Sequence, residues 1–331
     1  MKAIVIKEND RSLCYTDVPD PTPKTGEVLI EVYAAALNRA DLLQREGSYP
    51  PPPGCPPWPG LEVAGVVAAT GPDAHRFCVG DRVCALLGGG GYAEYVTVDE
   101  RMVMPLPEPL SFVEAAAIPE VYTTAYLNLF HVGEAKEGET LLMHAGASGL
   151  ASAVIPMAKA AGLRVITTVR GQTAAESIAD LGADLVVDTE REDIADVLRR
   201  EERDGRPVDL TIDCLGGDAL GRSLPYVARG CRWIVIATLA GDVSPVDFRN
   251  VYVKNIRLIG STLRSKTPAE KGDLLRELVD RLWPIIRAGR LRPRIFATFP
   301  LREAEAAHRL LYSGAHVGKV VLTVKENAEE G

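Results

Sequence analysis

Residues 141–162 have the sequence LLMHAGASGLASAVIPMAKAAG, in which an apolar strand ends, a turn of small residues follows, and a helix begins. A pyrophosphate reaches the free amides at a helix N-terminus only where no large side chain blocks the turn. Small residues at Gly146, Gly149 and Ala151 leave that approach open. The turn therefore predicts a pyrophosphate site made of Gly146, Ala147, Ser148, Gly149 and Leu150. Taken alone, the same turn is also typical of a plain strand-to-helix connection.

The segments around this turn favour the dinucleotide-binding interpretation. From about residue 120, apolar runs alternate with helical patterns, which is typical of a parallel sheet with helices on both faces. The expected strands are 140–144, 164–169, 184–188, 208–216, 232–239 and 256–262. Six strands of this kind fit a doubly wound (Rossmann) domain of the α/β class. Pro156 conflicts with the pattern locally, because proline inside a helix removes a backbone hydrogen bond.

Residues 1 to about 120 are predicted to be all-β. Their short apolar runs are separated by stretches rich in glycine and proline, which indicates a barrel or sandwich. The stretch SYPPPPGCPPWPG (48–60) is expected to be a surface loop. Helices expected at 269–289 and 303–311 and a strand at 319–324 form a C-terminal part too small to bury a core alone. We expect it to pack on the N-terminal domain.

The composition excludes several functions. The chain has 331 residues, 47% of them hydrophobic, and a formal net charge of −8. The acidic balance argues against a nucleic-acid binder. The sequence contains no apolar run of about 18 residues, so no membrane span is predicted. The start, MKAIVIKEND, lacks the pattern of a secretory signal. The six cysteines include no pair at CxxC spacing, so we expect a cytoplasmic protein without a disulfide framework or structural zinc.

The residues after the second Rossmann strand bear on the choice of cofactor. NAD-specific domains usually carry Asp or Glu there, bonded to the ribose 2′-hydroxyl. Here the sequence is TTVRGQT (167–173), which contains no acid and includes Arg170. Because a guanidinium can bind a 2′-phosphate bidentately, we expect NADPH as the cofactor. The alternative is that Arg170 is a solvated surface charge.

Several motifs along nearly the whole chain occur together in one family. They are AALNRADLLQREGSYPPPP (35–53), GLEVAGVV (60–67), AAAIPE (115–120), HAGASG (144–149), DCLGG (213–217) and HVGKVVL (316–322). With these motifs the chain resembles the zinc-free quinone oxidoreductase (zeta-crystallin-like) branch of the medium-chain dehydrogenase/reductase superfamily. The resemblance implies a GroES-like β-barrel catalytic domain, residues 1–122 and 262–331, and a Rossmann NADPH-binding domain, residues 123–261.

The resemblance also bears on metal chemistry. Zinc alcohol dehydrogenases of this superfamily bind catalytic zinc through a Cys, a His and a further Cys or Asp-like ligand. The corresponding positions here are Asn38, Leu61 and Glu120. An amide and an alkyl side chain cannot replace a thiolate and an imidazole as zinc ligands. We therefore expect metal-free hydride transfer to an acceptor that needs little Lewis-acid assistance, such as a quinone or a conjugated enone.

Individual site residues follow from the resemblance. Asn38 and Tyr49 are the expected catalytic residues, with Asn38 near the nicotinamide ribose and Tyr49 orienting the acceptor or supplying a proton. Asn38 also counts among the cofactor-binding residues, and the others are Thr124, Leu239, Leu263, Arg264 and Lys319. The alternatives are a turn-forming role for Asn38, loop packing for Tyr49, a helix cap at Thr124 and a solvated charge at Lys319.

Other positions are expected to have structural roles or to depart from the family. The branch often has a lysine for the 2′-phosphate where Thr173 or Ala174 stands here, so the nearby arginine would have to compensate. His144 is expected to be packed and structural, and Asp41 and Glu62 to hold loops in place.

These inferences predict an NADPH-dependent quinone oxidoreductase that acts on a small-molecule quinone or enone. The alternatives are an enoyl or enone reductase of the same fold, and a non-catalytic NADPH-binding protein that binds RNA or senses redox state. Relatives in this branch commonly pair through the edge strands of their Rossmann sheets. We therefore expect a homo-oligomer, dimer or tetramer, formed through RWIVIATL (232–239) or IRLIGST (256–262).

Overall fold

A computed structural model describes residues 1–328 of the chain. Its strands are β1 (Lys2–Ile6), β2 (Leu13–Asp17), β3 (Glu27–Ala36), β4 (Glu62–Thr70), β5 (Arg82–Leu86), β6 (Tyr95–Asp99), β7 (Val103–Pro105), β8 (Thr140–Met143), β9 (Arg164–Val169), β10 (Leu185–Asp188), β11 (Leu210–Asp213), β12 (Arg232–Val235), β13 (Arg257–Gly260), β14 (Ile295–Pro300) and β15 (Lys319–Thr323). Its α-helices are α1 (Arg39–Glu46), α2 (Phe112–Ala116), α3 (Pro119–Tyr126), α4 (Ala151–Ala160), α5 (Gln172–Ser177), α6 (Ile194–Arg203), α7 (Asp218–Ser223), α8 (Phe248–Lys254), α9 (Pro268–Arg287) and α10 (Ala304–Ser313).

The chain divides into two units. One consists of residues 1–123 together with the segment that begins at residue 264, and we call it the barrel unit. The other consists of residues 124–263, and we call it the nucleotide unit.

The nucleotide unit contains a six-stranded parallel sheet with the order β10-β9-β8-β11-β12-β13. This is the order of a doubly wound dinucleotide-binding sheet. Each predicted strand is present, although β11 begins only at Leu210 and β12 ends at Val235. The predicted Rossmann fold is therefore confirmed.

Helix α6 illustrates why strands and helices alternate in this unit. Its buried Ile194, Val197 and Leu198 are spaced three and four residues apart and belong to the apolar core that also contains Trp233 of β12. Asp193 accepts a hydrogen bond from the amide of residue 195 at 2.9 Å and caps the helix start. The sequence IADVLRREER thus specifies both the helical period and the buried face.

The barrel unit is built on a seven-stranded sheet with the order β14-β15-β3-β4-β5-β7, in which β6 also pairs with β3. Strands β1 and β2 form a separate antiparallel hairpin. The C-terminal strand β15 pairs antiparallel with β3, with Val321 opposite Ala36. Trp283 of α9 donates from its indole nitrogen to Pro105 O at 3.0 Å. The C-terminal segment therefore completes the sheet that the N-terminal segment begins.

The prediction that residues 1 to about 120 are all-β is wrong in part, because α1, α2 and the start of α3 interrupt the strands. Helix α2 begins with a capping box, in which Ser111 Oγ accepts from Glu114 N at 3.3 Å and Glu114 Oε2 accepts from Ser111 N at 3.0 Å. Helices of five and eight residues are too short for helical periodicity to stand out in a sequence. The proline-rich stretch 48–60 contains neither strand nor helix, as expected. Among the described residues, no helix has the length and apolarity needed to cross a membrane.

Candidate functional site

Three strand ends bring polar side chains together in the barrel unit. Strand β3 ends at Ala36, and Asn38 follows just before α1. Glu62 begins β4 and Lys319 begins β15, and both strands pair antiparallel with the end of β3. Because Val321 lies opposite Ala36, the same register carries Lys319 to the level of Asn38.

Lys319 is buried although it is charged, with 3% of its side chain exposed. Its Nζ donates to Leu37 O at 2.5 Å and to Asn38 Oδ1 at 2.8 Å, and lies 2.7 Å from Glu62 Oε1. An ammonium group has three N–H donors. The lysine predicted to bind the cofactor therefore has an internal partner for each of its donors.

Glu62 is fully buried and accepts hydrogen bonds on both carboxylate oxygens. Oε1 accepts from Asn38 Nδ2 at 2.9 Å, and Oε2 accepts from the backbone amide of Glu120 at 2.8 Å. A buried carboxylate is tolerated only where it is paired and hydrogen-bonded, and Glu62 satisfies both conditions. Through Glu120 this carboxylate holds the first turn of α3 rather than a loop, and the sequence does not predict its contacts with Asn38 and Lys319.

Asp41 is the second buried carboxylate of this cluster. Its oxygens accept from the backbone amides of Asn38 and Gly60, at 2.7 and 2.9 Å, and from Tyr92 OH at 3.1 Å. Burial raises the pKa of Asp41 to about 6, and these donors oppose the rise. The Tyr92 hydroxyl also lies 3.4 Å from His308 Nε2. Asp41 thus ties the turn at Asn38 to the end of the proline-rich loop.

Glu120 lies beside these groups and is only partly buried. Burial and the neighbouring Glu62 raise the pKa of Glu120 to about 7, while Lys319 and Arg264 oppose that rise. The carboxyl group of Glu120 is therefore partly protonated at neutral pH.

Tyr49 and Arg264, which the sequence predicts separately, are in direct contact. Arg264 Nε donates to Tyr49 OH at 3.1 Å, and its guanidinium carbon lies 4.1 Å from the centre of the Tyr49 ring. Arg264 Nη1 also donates to Pro50 O at 3.2 Å. Burial raises the pKa of Tyr49, with the charge of Arg264 opposing, so the phenol is protonated at neutral pH. Because the hydroxyl oxygen accepts from Arg264, its own proton remains for another acceptor.

In the nucleotide unit, the glycine turn joins β8 to α4 at the predicted place. Ala145 has a φ of +55°, and Gly146 donates its amide to Thr168 O at 2.7 Å. A Cβ at position 146 would lie 2.5 Å from Thr167 Oγ1, so the close approach of β9 requires glycine there. Helix α4 continues past Pro156 despite the local conflict that the sequence indicates there.

This turn leaves backbone donors unused. Along residues 1–328, the amides of Ala147, Gly149 and Leu150 have no hydrogen-bond acceptor. Ser148 Oγ accepts from Ala151 N at 3.1 Å, and its hydroxyl proton remains available. Partly exposed amides at the N-terminus of a helix suit an anion such as a phosphate.

The loop after β9 carries the residue on which the cofactor prediction depends. Arg170 follows β9 directly and is exposed. The next residue, Gly171, donates its amide to Asp188 Oδ1 at 2.8 Å. A carboxylate from the end of β10 therefore lies beside this loop, although the loop itself contains none. Thr173 and Ala174, one of which is expected to stand where the family has its lysine, lie in α5.

The remaining predicted residues lie in different environments. Thr124 lies inside α3, so it does not cap the start of that helix. Leu239 is 50% exposed beyond β12, whereas Leu263 is buried beyond β13. His144 is buried with its Nδ1 at 3.1 Å from Thr168 Oγ1, and burial lowers the pKa of His144. These features fit a packed, structural histidine.

Comparison with known proteins places the chain in a family. An alcohol dehydrogenase GroES-like domain model matches residues 24–108, and a zinc-binding dehydrogenase model matches residues 181–322. The mouse quinone oxidoreductase is 31% identical over 312 residues, which cover 93% of this chain and 92% of the mouse protein. The chain belongs to the quinone oxidoreductase family of the medium-chain dehydrogenases/reductases. The predicted family is therefore confirmed.

Solved structures of family relatives match almost the full chain. The quinone oxidoreductase of Thermus thermophilus, determined alone and in complex with NADPH, is 35% identical with a TM-score of 0.82 and covers 98% of this chain and 100% of its own. The CurK enoyl reductase is 26% identical with a TM-score of 0.84 and covers 97% of this chain and 98% of its own.

Sequence reasoning missed part of this site. No local pattern in the sequence indicates a role for Tyr92 or His308, because one is a lone tyrosine in a glycine-rich stretch and the other a lone histidine in a helix. Lys319 and Asn38 were each named, but nothing in the spacing indicated that they touch.

We expect His308 to make the protein less stable as the pH falls from about 6.5 to about 4. Burial lowers the pKa of His308 to about 4, and unfolding restores its ordinary value, so the unfolded state binds more protons in this range and is favoured. The free energy of unfolding loses roughly 3 kcal/mol at pH 4 relative to pH 7 from this residue. Urea unfolding at several pH values should show a smaller loss for His308→Gln. The exposed His75 is the matched control, and a loss in His308→Gln equal to that in His75→Gln would contradict the assignment.

Proposed function

We propose that the protein is an NADPH-dependent quinone oxidoreductase. The observation that carries this proposal is the match along 98% of the chain to a Thermus quinone oxidoreductase whose structure was also determined with NADPH. Two features of the geometry support it. The unused amides at the glycine turn suit binding of the cofactor, and the protonated phenol of Tyr49 suits delivery of a proton. Reduction of a quinone to a hydroquinone consumes one hydride and one proton.

The residues of the glycine turn fit the pyrophosphate of NADPH. Unused amides at the N-terminus of α4 offer hydrogen bonds, and the helix dipole favours a negative charge there. Arg170 can pair with the 2′-phosphate. When bound, NADPH supplies the hydride. The further proposed cofactor contacts are Asn38, Thr124, Leu239, Leu263, Arg264 and, through Asn38, Lys319.

Tyr49 and Asn38 are the proposed catalytic residues on the acceptor side. The Tyr49 proton is free to move to the reduced oxygen of the acceptor, because Arg264 already donates to the phenol oxygen. The positive charge of Arg264 stabilises the phenolate that this transfer leaves, and water returns the proton. Asn38 offers a donor for an oxygen of the bound substrate or cofactor.

We propose that this reaction needs no zinc, although one matching family model carries zinc in its description. Of the three residues at the positions of the family's zinc ligands, Asn38, Leu61 and Glu120, none supplies a thiolate or an imidazole. The Lys319 ammonium, 2.8 Å from Asn38 Oδ1, would repel a dication placed beside that residue. In the part of the chain that the structure describes, no group of three or more His, Cys, Asp or Glu side chains is arranged to hold a metal ion. The residues present do not fit catalytic zinc.

An enoyl or enone reductase is the second candidate, because the CurK enoyl reductase matches 97% of the chain. A non-catalytic NADPH-binding role, in RNA binding or redox sensing, is a further candidate. The net charge of −8 argues against RNA, since phosphate backbones attract basic surfaces.

We further propose a cytoplasmic homo-oligomer built from dimers. All six cysteines are free, which fits a reducing compartment. Strand β13 lies at the edge of the six-stranded sheet, and Leu258 on this strand is 41% exposed. Phe248 and Tyr252 on the preceding helix α8 are 71% and 65% exposed. An open edge strand with exposed apolar neighbours favours pairing with a second copy of the chain.

We expect stopped-flow absorbance to show NADPH oxidation when a naphthoquinone is added to the protein. Faster turnover of an enoyl thioester would select the second candidate instead. Tight NADPH binding without turnover of any quinone, enone or enoyl thioester would refute the enzymatic proposal and favour the non-catalytic role.

We expect Arg170→Ala to raise the KM for NADPH about tenfold while leaving the KM for NADH nearly unchanged, because only NADPH carries the 2′-phosphate. Steady-state kinetics with both cofactors checks this. The exposed Arg203 provides the control, Arg203→Ala, which should change neither value. Equal KM values for NADPH in the wild type and Arg170→Ala would mean that Arg170 is only a surface charge.

We expect Leu258→Lys to shift the protein toward monomer, because a charge on β13 disfavours pairing of two edge strands. Sedimentation velocity measures the shift. Tyr312→Lys, at an exposed position on α10, should leave the assembly unchanged. An unaltered assembly in Leu258→Lys would argue against pairing through β13.

A further inference from the structure

We propose that Lys319 and Glu62 are positioning residues that lock the Asn38 side-chain amide in one orientation, in which it offers a bound molecule only a hydrogen-bond donor. This inference rests on the proposed function, since it assigns the way in which one of the proposed catalytic residues is prepared for its ligand. It also changes the role of Lys319 from a direct cofactor contact to an indirect one.

The donor count of Lys319 is the first step. Its ammonium binds Leu37 O, Asn38 Oδ1 and Glu62 Oε1, all within 2.8 Å. Three donors with three internal acceptors leave none for a bound molecule. With 3% of its side chain exposed, Lys319 also has almost no surface that a cofactor could reach.

The chemistry of the two partners fixes which way the amide faces. An ammonium can only donate and a carboxylate can only accept, so Asn38 Oδ1 must face Lys319 and Nδ2 must face Glu62. The reversed amide would set an N–H against the ammonium and an oxygen against the carboxylate, losing two charge-assisted bonds.

The locked amide has one hydrogen-bond donor left. Asn38 Nδ2 carries two N–H groups, of which one binds Glu62 Oε1 at 2.9 Å. The second has no acceptor along residues 1–328, and Asn38 is 8% exposed. This second N–H suits a hydrogen-bond-accepting oxygen of either the cofactor or the quinone.

The cost of this arrangement supports a functional purpose. Two buried charges are seldom more stabilising than apolar residues of the same size, because desolvation opposes their attraction. Buried ionic groups are better explained where they enforce a specific geometry, and here they enforce the direction of one amide.

A mutant cycle between the ion pair and Asn38 tests the proposal. Glu62→Gln/Lys319→Met removes both charges of the ion pair together, so that neither of the two is left buried without its partner. We expect it to lower kcat/KM about tenfold in the wild-type background, the size of one oriented hydrogen bond, and to have no further effect when Asn38 is already alanine. Calorimetry with NADPH is the readout independent of turnover, and it shows whether the lost bond was to the cofactor or to the quinone.

Two more variants keep the test decisive if the double variant folds poorly. Asn38→Asp keeps an oxygen for Lys319 but has no donor, so it should lose as much activity as Asn38→Ala. Lys325→Met is the control, because Lys325 lies just beyond the same strand in a more exposed ion pair with Glu31 at 2.8 Å, and it should behave as wild type.

The outcomes separate this inference from the proposed function. Wild-type activity in Asn38→Asp, or in a folded Glu62→Gln/Lys319→Met, would overturn the inference while leaving quinone reduction intact. Equal losses in the wild-type and Asn38→Ala backgrounds would show that the ion pair does not act through Asn38. A wild-type protein that turns over no quinone would instead count against the proposed function.

Discussion

A buried ion pair, Lys319 with Glu62, is the constraint on which the candidate site in the barrel unit depends. The lysine comes from the last strand of the chain, the glutamate from β4, and both meet Asn38 at the end of β3. These groups meet only when β15 has paired with β3, so the site depends on the pairing of the chain's last strand. Neither charge could stay buried without the other.

The same ion pair places a positive charge beside Asn38, which the family resemblance assigns to the position of a zinc ligand. A fixed ammonium cannot bind a substrate oxygen once its donors are used, so it does not replace the Lewis acid. It orients the neighbouring amide, and it opposes the rise in the pKa of Glu120 that burial and Glu62 cause. This fits an acceptor such as a quinone, whose reduced oxygens are stabilised by its own aromatic ring.

Local patterns predicted the parts of the fold that local interactions determine. The run from Leu141 to Gly162 gave both the strand and the turn, since the period of apolar residues and the need for glycine at 146 are visible in the sequence. The short helices α1 and α2 were missed, because five to eight residues show too little periodicity and tertiary packing decides their form.

The residues of the site could be predicted from the sequence, but their contacts with one another could not. Resemblance to the family named Asn38, Tyr49, Arg264 and Lys319 one at a time. The bond between Lys319 and Asn38 joins residues 281 positions apart, and its existence depends on the register of β15 against β3. That register cannot be predicted from a single sequence, because it joins distant segments. The role of the glycine turn can be predicted, because it depends on adjacent residues.

Metal content measured together with turnover tests the account most directly. Purified protein would be analysed for zinc, and its NADPH–quinone turnover measured before and after exhaustive chelation. The account predicts zinc far below one atom per chain and turnover that chelation leaves unchanged. Stoichiometric zinc, with activity lost on chelation and restored by zinc, would contradict it.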